Sequence, residues 1–247
     1  MAGPAAPPSR SVLVAGAARG IGLATARRLA ADGHRVTATW NVTEPADDAG
    51  GAEDRSITWR RCDVTDPASV QAVVDEARAD GHPFDVAVAN AALVRDRMVS
   101  RMTEADFRAV IDVNLRGSFH LARAALSDMA RARWGRVVFV GSVGGSYGLG
   151  GQASYSASKA GLLGLARSLA REVGPRGVTV NVVAPGPIDT ELIAGMSTSL
   201  RERWKGLTPA ERMGRPAEVA GAIAFLASEP AGAITGAVIP VDGGFLA

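Results

Sequence analysis

The sequence predicts an α/β protein with a single-domain Rossmann fold, a doubly wound, seven-stranded parallel sheet with helices on both faces. Short apolar runs alternate with helical patterns along most of the chain, which is typical of parallel strands joined by helical crossovers. A glycine-rich loop directly follows the first apolar run. The 247 residues suit one domain of this kind, and no linker or internal repeat divides them. We therefore expect one domain over residues 11–247.

The apolar runs are short enough to be buried strands of a parallel sheet. The predicted strands are Ser11–Ala15, Arg35–Trp40, Ile57–Arg61, Asp85–Ala89, Arg136–Val140, Val178–Val183 and Ala237–Val241. Residues 1–10 are rich in Pro and Ala and are predicted to be disordered. From residue 191 to 213 the helical pattern is weak and glycines interrupt it, which favours a mobile substrate lid.

Composition argues against several functional classes. The formal net charge is only +2 and the arginines are scattered, so nucleic-acid binding is not expected. No apolar run approaches the roughly 20 residues of a membrane-spanning helix, and the run at Ser11–Ala15 is too short for a signal peptide. We expect a cytoplasmic protein without a membrane partner. One cysteine, Cys62, and three scattered histidines give no metal-ligand spacing, so no metal site is predicted.

The glycine loop, residues 16–22, predicts a dinucleotide site. Gly16 allows a tight turn, Gly20 lets the backbone approach a pyrophosphate, and Gly22 allows close packing of helix and sheet. The helix that begins here, GLATARRLAADG from Gly22, offers free backbone N–H groups to phosphate. A glycine loop is a strong signal when it lies between a strand and a helix. Ala15 precedes this loop.

The end of the second predicted strand favours NADPH over NADH as the cofactor. An NAD enzyme usually has a carboxylate there to bind the ribose 2′-hydroxyl, but this chain has Thr39, Trp40 and Asn41. Arg19, inside the glycine loop, could pair with a 2′-phosphate in a bidentate manner. The alternative is that Arg19 is simply solvated.

Three side chains are candidates for proton transfer. Tyr155 and Lys159 lie four residues apart in a run without proline that is rich in Ala, Leu and Ser, and so share one face of a predicted helix. An ammonium beside a phenol lowers the pKa of the phenol, which can then exchange a proton with an alcohol or ketone. Ser142 follows the fifth strand, where α/β sheets place active groups. A Tyr–Lys pair alone also fits a solvated helix surface.

Taken together, these motifs resemble the short-chain dehydrogenase/reductase family. They are AGAARGIG, the Ser with a Tyr thirteen residues later and a Lys four further on, and VTVNVVAPG. Within the family the chain is most similar to the 3-oxoacyl-[acyl-carrier-protein] reductases, and the resemblance covers nearly everything beyond residue 10. It implies an NADPH-dependent ketoreductase that acts on a 3-oxoacyl thioester held by acyl-carrier protein, in fatty-acid or polyketide biosynthesis. It also implies a homotetramer.

The resemblance assigns roles to individual residues. The implied catalytic set is Asn114, Ser142, Tyr155 and Lys159, in which Asn114 would hold a proton-relay water; a plain buried hydrogen-bonding role is its alternative. The implied cofactor contacts are Gly16, Arg19, Gly20, Ile21, Gly22, Asn41, Asp63, Val64, Asn90, Tyr155, Lys159, Pro185, Gly186, Ile188 and Thr190.

Two further points stay open. Asp63 and Asp66 could cap the next helix, a role that suits Asp66 better, whereas the resemblance implies an adenine contact for Asp63. Arg133 and Arg176 match carrier-docking positions of the family, although surface arginines are often only solvated.

The chain also departs from the family pattern. Ala15, Ala89 and Ala92 replace a Thr, an Asn and a Gly, so a hydrogen bond that braces the glycine loop is expected to be missing. A catalytically weakened cofactor-binding protein therefore remains an alternative. A short-chain alcohol dehydrogenase or ketone reductase for another small molecule is a second one.

Overall fold

The computed structural model describes residues 8–45, 56–191 and 197–247. Of residues 1–10, for which disorder is predicted, residues 1–7 lie outside this range, and so do residues 192–196 of the predicted lid. Residues 8–10 lie along the sheet, where Ser9 donates a hydrogen bond to the Gly33 carbonyl at 2.7 Å.

Seven parallel strands form one sheet, as predicted, and their order is β3-β2-β1-β4-β5-β6-β7. They are β1 (Ser11–Ala15), β2 (Arg35–Trp40), β3 (Ile57–Arg61), β4 (Val86–Ala89), β5 (Gly135–Val140), β6 (Val178–Pro185) and β7 (Val238–Val241). The chain begins in the middle, builds outward to β3, and returns past β1 to build the other half. The strand order reverses between β1 and β4, and ligands of open α/β sheets bind at such a reversal.

Helices cover both faces of the sheet. They are α1 (Gly20–Ala31), α2 (Pro67–Ala79), α3 (Glu104–Ile111), α4 (Gly117–Ala132), α5 (Gly144–Tyr147), α6 (Ala153–Val173), α7 (Thr198–Gly206) and α8 (Pro216–Ala227). Helices α2, α4 and α6 pack on one face, and α1 and α8 pack on the other. No helix in the described part of the chain is both long and apolar enough to span a bilayer.

The strands are apolar on both faces because both faces are covered. In β1, Leu13 and Ala15 belong to the core under α2, α4 and α6, while Val12 and Val14 belong to the core under α1 and α8. Successive side chains of a strand point to opposite faces. This double burial explains why the strands appear in the sequence as continuous apolar runs.

Two helix starts are fixed by side-chain caps. The Asp66 carboxylate accepts a hydrogen bond from the backbone N–H of Ala68 at 2.9 Å, and Pro67 occupies the first helical position of α2. This confirms Asp66 as a cap. At α3, the Thr103 hydroxyl accepts from the N–H of Asp106 at 3.1 Å and donates to its carboxylate at 2.9 Å.

A π-helical turn, Asp112–Arg116, joins α3 to α4. It carries Asn114, which is fully buried, and the Ser118 hydroxyl donates to the Asn114 carbonyl at 2.7 Å. A wider turn of this kind often marks a functional site. Here it brings the Asn114 side chain against the loop after β4 and against α6.

We predict that Leu29→Ala on α1 lowers the free energy of unfolding by about 2–5 kcal/mol, because it leaves a cavity in a packed core. Leu29 is 0% exposed, whereas Leu207 is 52% exposed. Urea denaturation should therefore show a much lower midpoint for Leu29→Ala and a nearly unchanged one for the matched control Leu207→Ala. Equal midpoints for the two variants would contradict this assignment of the core.

Candidate active site

One cavity of about 650 Å³ opens at the carboxyl ends of the central strands, a volume within the usual range for ligand sites. Most of the residues predicted from the sequence line it. They are Gly16, Arg19, Gly20, Ile21, Asn41, Asp63, Val64, Asn90, Ser142, Tyr155, Lys159, Pro185, Gly186, Ile188 and Thr190. Gly22 and Asn114 do not line the cavity but lie in the layer that supports it.

The glycine loop has the backbone geometry that a pyrophosphate site requires. Gly16 and Gly20 have φ of +73° and +56°, in the left-handed region that favours glycine. A Cβ atom on Gly22 would lie 2.2 Å from the Gly16 carbonyl oxygen, so only glycine fits there. The loop leads directly into the amino end of α1, whose free N–H groups attract anions. These residues therefore fit a dinucleotide.

A side chain from β4 braces this loop. The Asn90 amide donates to the Gly16 carbonyl at 2.7 Å, and the Asn90 backbone N–H donates to the Ala15 carbonyl at 3.2 Å. The hydrogen bond expected to be missing at Ala15 is thus offset by a tertiary contact. Ala92 lines the cavity with its methyl group.

At the tip of β2, the described residues that line this end of the cavity are Trp40, Asn41, Val42 and Thr43. None of these four residues carries a carboxylate that would repel a 2′-phosphate. The exposed Arg19 side chain lies on the rim of the same end. Asp63 accepts hydrogen bonds from the Thr65 hydroxyl and N–H at 2.7 and 2.9 Å. These bonds lower the pKa of Asp63, which stays ionised.

Ser142 and Tyr155 bring two hydroxyl groups together at the other end. The Ser142 Oγ accepts from the Gly144 N–H at 3.0 Å, and the Ser142 hydroxyl is near enough to the Tyr155 phenol to lower its pKa. Ser142 follows β5, and Tyr155 lies in the first turn of α6. Two converging hydroxyls form a site for one carbonyl oxygen.

Lys159 lies beneath Tyr155 and is only 2% exposed. Its Nζ donates to the Val140 carbonyl at 2.7 Å and lies 5.6 Å from the centroid of the Tyr155 ring. Burial lowers the pKa of Lys159 to about 8.

The pKa of Tyr155 is raised in this structure, not lowered as the Tyr–Lys spacing predicts. Burial raises the pKa of Tyr155, the hydrogen bond from Ser142 lowers it, and the Asp96 carboxylate raises it. Lys159 points to the Val140 carbonyl across the face of the ring, so desolvation of the phenolate dominates.

Asn114 uses its whole side chain in protein contacts. Its Oδ1 accepts from the Leu93 N–H at 2.7 Å, and its Nδ2 donates to the Leu93 carbonyl and to the Ser158 hydroxyl, both at 3.0 Å. The side chain therefore links the loop after β4 to α6 beside Lys159. These contacts correspond to the buried hydrogen-bonding role that the sequence left as an alternative for Asn114. The proton-relay water stays a prediction.

Arg133 and Arg176 do not lie beside the cavity. Arg133 ends α4 with φ of 55°, and its guanidinium donates to the Pro175 carbonyl at 3.2 Å, next to Arg176. Both residues precede the amino ends of their strands, β5 and β6. The cavity is at the carboxyl ends, roughly 20 Å away for a six-residue strand.

Several residues at the cavity were missed by the sequence interpretation. Leu93, Val94, Leu149, Trp204 and Met213 give it an apolar wall, and Asp96 and Gln152 add a polar pair. Loop residues show no periodic pattern that would mark them as site residues. Only Gln152 could have been identified, because it lies three residues before Tyr155. Among the described residues, no group of His, Cys, Asp and Glu is arranged to hold a metal ion.

Comparisons with known proteins agree with this geometry. A family model described as enoyl-(acyl carrier protein) reductase matches residues 16–246. The chain is 48% identical to the 3-oxoacyl-[acyl-carrier-protein] reductase MabA of Mycobacterium tuberculosis, over 96% of this chain and 92% of that protein. It is 43% identical to the 3-oxoacyl-[acyl-carrier-protein] reductase FabG of Escherichia coli, over 94% and 95%.

A solved structure has the same fold. A crystal structure of a chain described as a gluconate dehydrogenase of Agrobacterium tumefaciens superimposes with a TM-score of 0.90 at 28% sequence identity, and 96% of each chain is covered.

We predict that the protein binds NADPH more tightly than NADH, and that Arg19→Ala weakens NADPH binding by roughly 10- to 100-fold, because a hydrogen bond to a charged group contributes about 1.5–3 kcal/mol. The Kd for NADH should change little, since NADH lacks the 2′-phosphate. Arg28→Ala, which removes an exposed arginine paired with Asp32, is the matched control. Fluorescence titration measures Kd for both cofactors with each of the three proteins, and tighter NADH binding by the unmodified protein would refute the assignment.

Proposed function

Because the chain belongs to the short-chain dehydrogenase/reductase family, in its branch of 3-oxoacyl-[acyl-carrier-protein] reductases, we propose that it reduces the ketone of a 3-oxoacyl group on acyl-carrier protein to the 3-hydroxyacyl form with NADPH. The observation that carries this proposal is that Ser142, Tyr155 and Lys159 line one cavity together with the glycine loop.

In this scheme each residue has a separate task. The bound dihydronicotinamide supplies the hydride for the 3-oxo carbon. Ser142 and Tyr155 donate hydrogen bonds to the ketone oxygen and stabilise its developing charge. Tyr155 gives its proton to that oxygen. Its raised pKa suits this role, because the phenol is still protonated at neutral pH.

Lys159 and Asn114 support the acid. Lys159 holds a positive charge under the phenol and is the residue proposed to bind the nicotinamide ribose, while its bond to Val140 limits its movement. Asn114 fixes α6 against the loop after β4 and is proposed to help route the replacement proton. The residues proposed to hold the remainder of the dinucleotide are Gly16, Gly20, Gly22, Asp63, Val64 and Asn90. Pro185 and Gly186 are proposed to turn the chain at the nicotinamide, and Ile188 and Thr190 to bind its carboxamide.

A 2-enoyl thioester is a second candidate substrate, because the matching family model is described by enoyl reduction. The paired hydroxyls favour the ketone, since they are suited to protonate an oxygen. Oxidation of NADPH with a 3-oxoacyl, a 2-enoyl and a simple ketone substrate separates these activities from a general alcohol dehydrogenase. No turnover of any thioester would favour a cofactor-binding protein without catalysis.

We further propose that Arg133 and Arg176 dock the acidic carrier protein for the cavity of a second copy within a homotetramer. A two-fold antiparallel pairing through α4 and α6 would bring the carboxyl end of these helices to the amino end of the partner's helices. The exposed Ala157, Ala160 and Gly164 of α6 support such a close contact. We also propose that the protein acts in the cytoplasm, in fatty-acid or polyketide biosynthesis.

We predict that Tyr155→Phe lowers kcat by about 10²–10⁴-fold, the usual contribution of a general acid. NADPH binding should persist, because the glycine loop is unaffected. Steady-state kinetics and a Kd measurement test the two parts. Tyr147→Phe is the control, since Tyr147 is 65% exposed and does not line the cavity. Full activity of Tyr155→Phe would remove Tyr155 from the acid role.

We predict that charge reversal at both docking arginines raises KM for the carrier-bound substrate and leaves KM for a small 3-oxoacyl thioester unchanged, because only the carrier needs a basic surface. Arg101→Glu with Arg108→Glu, on other exposed positions, tests for a general charge effect. An equal change of KM for both substrates would refute docking at this surface.

A further inference from the structure

A short segment after β4, residues 95–97, is held by contacts to α3 and to the residues just before α6. Arg95 and Arg97 both bind the buried Asp106 near the amino end of α3, with N–O distances of 2.7 and 3.2 Å. Asp96 lies between these two arginines in the sequence but lines the cavity instead. It accepts a hydrogen bond from Gln152 Nε2 at 2.9 Å. The Arg97 N–H adds a backbone bond to the Gly151 carbonyl at 2.8 Å. The position of Asp96 is therefore well determined.

The Asp96–Gln152 pair lies next to the proposed acid. Gln152 precedes the first residue of α6, and Tyr155 follows three residues later. Asp96, Gln152 and Tyr155 all line the same cavity. A carboxylate is favourable near the amino end of a helix, because the helix dipole is positive there. The Gln152 Oε1 is buried without a hydrogen-bond partner among the described residues, so the bond to Asp96 is the main constraint on this amide.

We propose that Asp96 is a positioning residue for Tyr155: held by Gln152, its negative charge disfavours the phenolate, so that Tyr155 keeps the proton that it donates to the ketone. This inference rests on the proposed function, because it concerns the same phenol. It adds a task for a carboxylate that the catalytic scheme does not use.

The sign of the effect follows from the charges around the phenol. Asp96 raises the pKa of Tyr155, in the same direction as the larger effect of burial. Lys159, on the same helix, favours the phenolate. Arg95 and Arg97 are partly neutralised by Asp106, and Glu191 and Arg19 are the other exposed charges that line this cavity. Removing the charge of Asp96 should therefore lower the pKa of Tyr155.

The composition of the chain allows a direct test. It has only two tyrosines, so Tyr147→Phe leaves Tyr155 as the sole phenol. We expect the phenolate absorbance of Tyr147→Phe to rise with a midpoint that moves to lower pH when Asp96→Asn is added. Asparagine keeps the acceptor for Gln152 and removes only the charge. Asp80→Asn, at the exposed end of α2, is the control for net charge and should leave the midpoint unchanged.

Kinetics and salt provide independent readouts. The high-pH fall of kcat/KM for ketone reduction should also move to lower pH in Asp96→Asn, and the difference should shrink in high salt, because Asp96 is exposed. Gln152→Leu, which releases Asp96 but keeps its charge, should shift the midpoint in the same direction by less.

An unchanged or higher midpoint in Asp96→Asn, or an equal shift in Asp80→Asn, overturns the inference. Because the absorbance titration needs no substrate, it tests this inference separately from the proposed function. That proposal instead fails if no 3-oxoacyl thioester is reduced.

Discussion

The site depends on a close backbone contact between the segment that carries Ser142 and the helix that carries Tyr155 and Lys159. A Cβ atom on Gly145 would lie 2.8 Å from the Lys159 carbonyl carbon, so glycine is required for α5 to lie against α6. The bond from Lys159 Nζ to the Val140 carbonyl at 2.7 Å joins the same helix to the end of β5. Together these contacts hold three side chains from two elements in one geometry.

Burial, more than the neighbouring ammonium, controls the state of the phenol. The desolvation that accompanies this packing raises the pKa of Tyr155 and lowers that of Lys159. Both shifts disfavour the charged form of each group, as expected where water is displaced by protein. A protonated phenol is the form that a ketone reductase needs, whereas an oxidising enzyme would need the phenolate.

The sheet separates two kinds of surface. Its carboxyl edge carries the cavity, with the glycine loop and the paired hydroxyls, whereas its amino edge carries Arg133 and Arg176. Helix α6 spans this distance, since 21 residues extend roughly 31 Å. The proposed docking arginines therefore lie at the opposite edge of the sheet from the cavity of the same chain. This separation links the proposed homotetramer to the proposed carrier contact.

The sequence alone determined the strands and the glycine loop, because these depend on local apolar patterns and turn chemistry. It also predicted that Tyr155 and Lys159 share a helix face and that Ser142 follows a strand, whereas Asn114 was implied only by the family resemblance. Only the tertiary structure decided how these residues interact. Asn90 braces the loop that Ala15 leaves without a hydroxyl, and Lys159 turns to Val140. Asp96 and Gln152, which are 56 positions apart in the chain, form a hydrogen bond. Such contacts arise from the packing of distant segments, and no periodicity in the sequence encodes them.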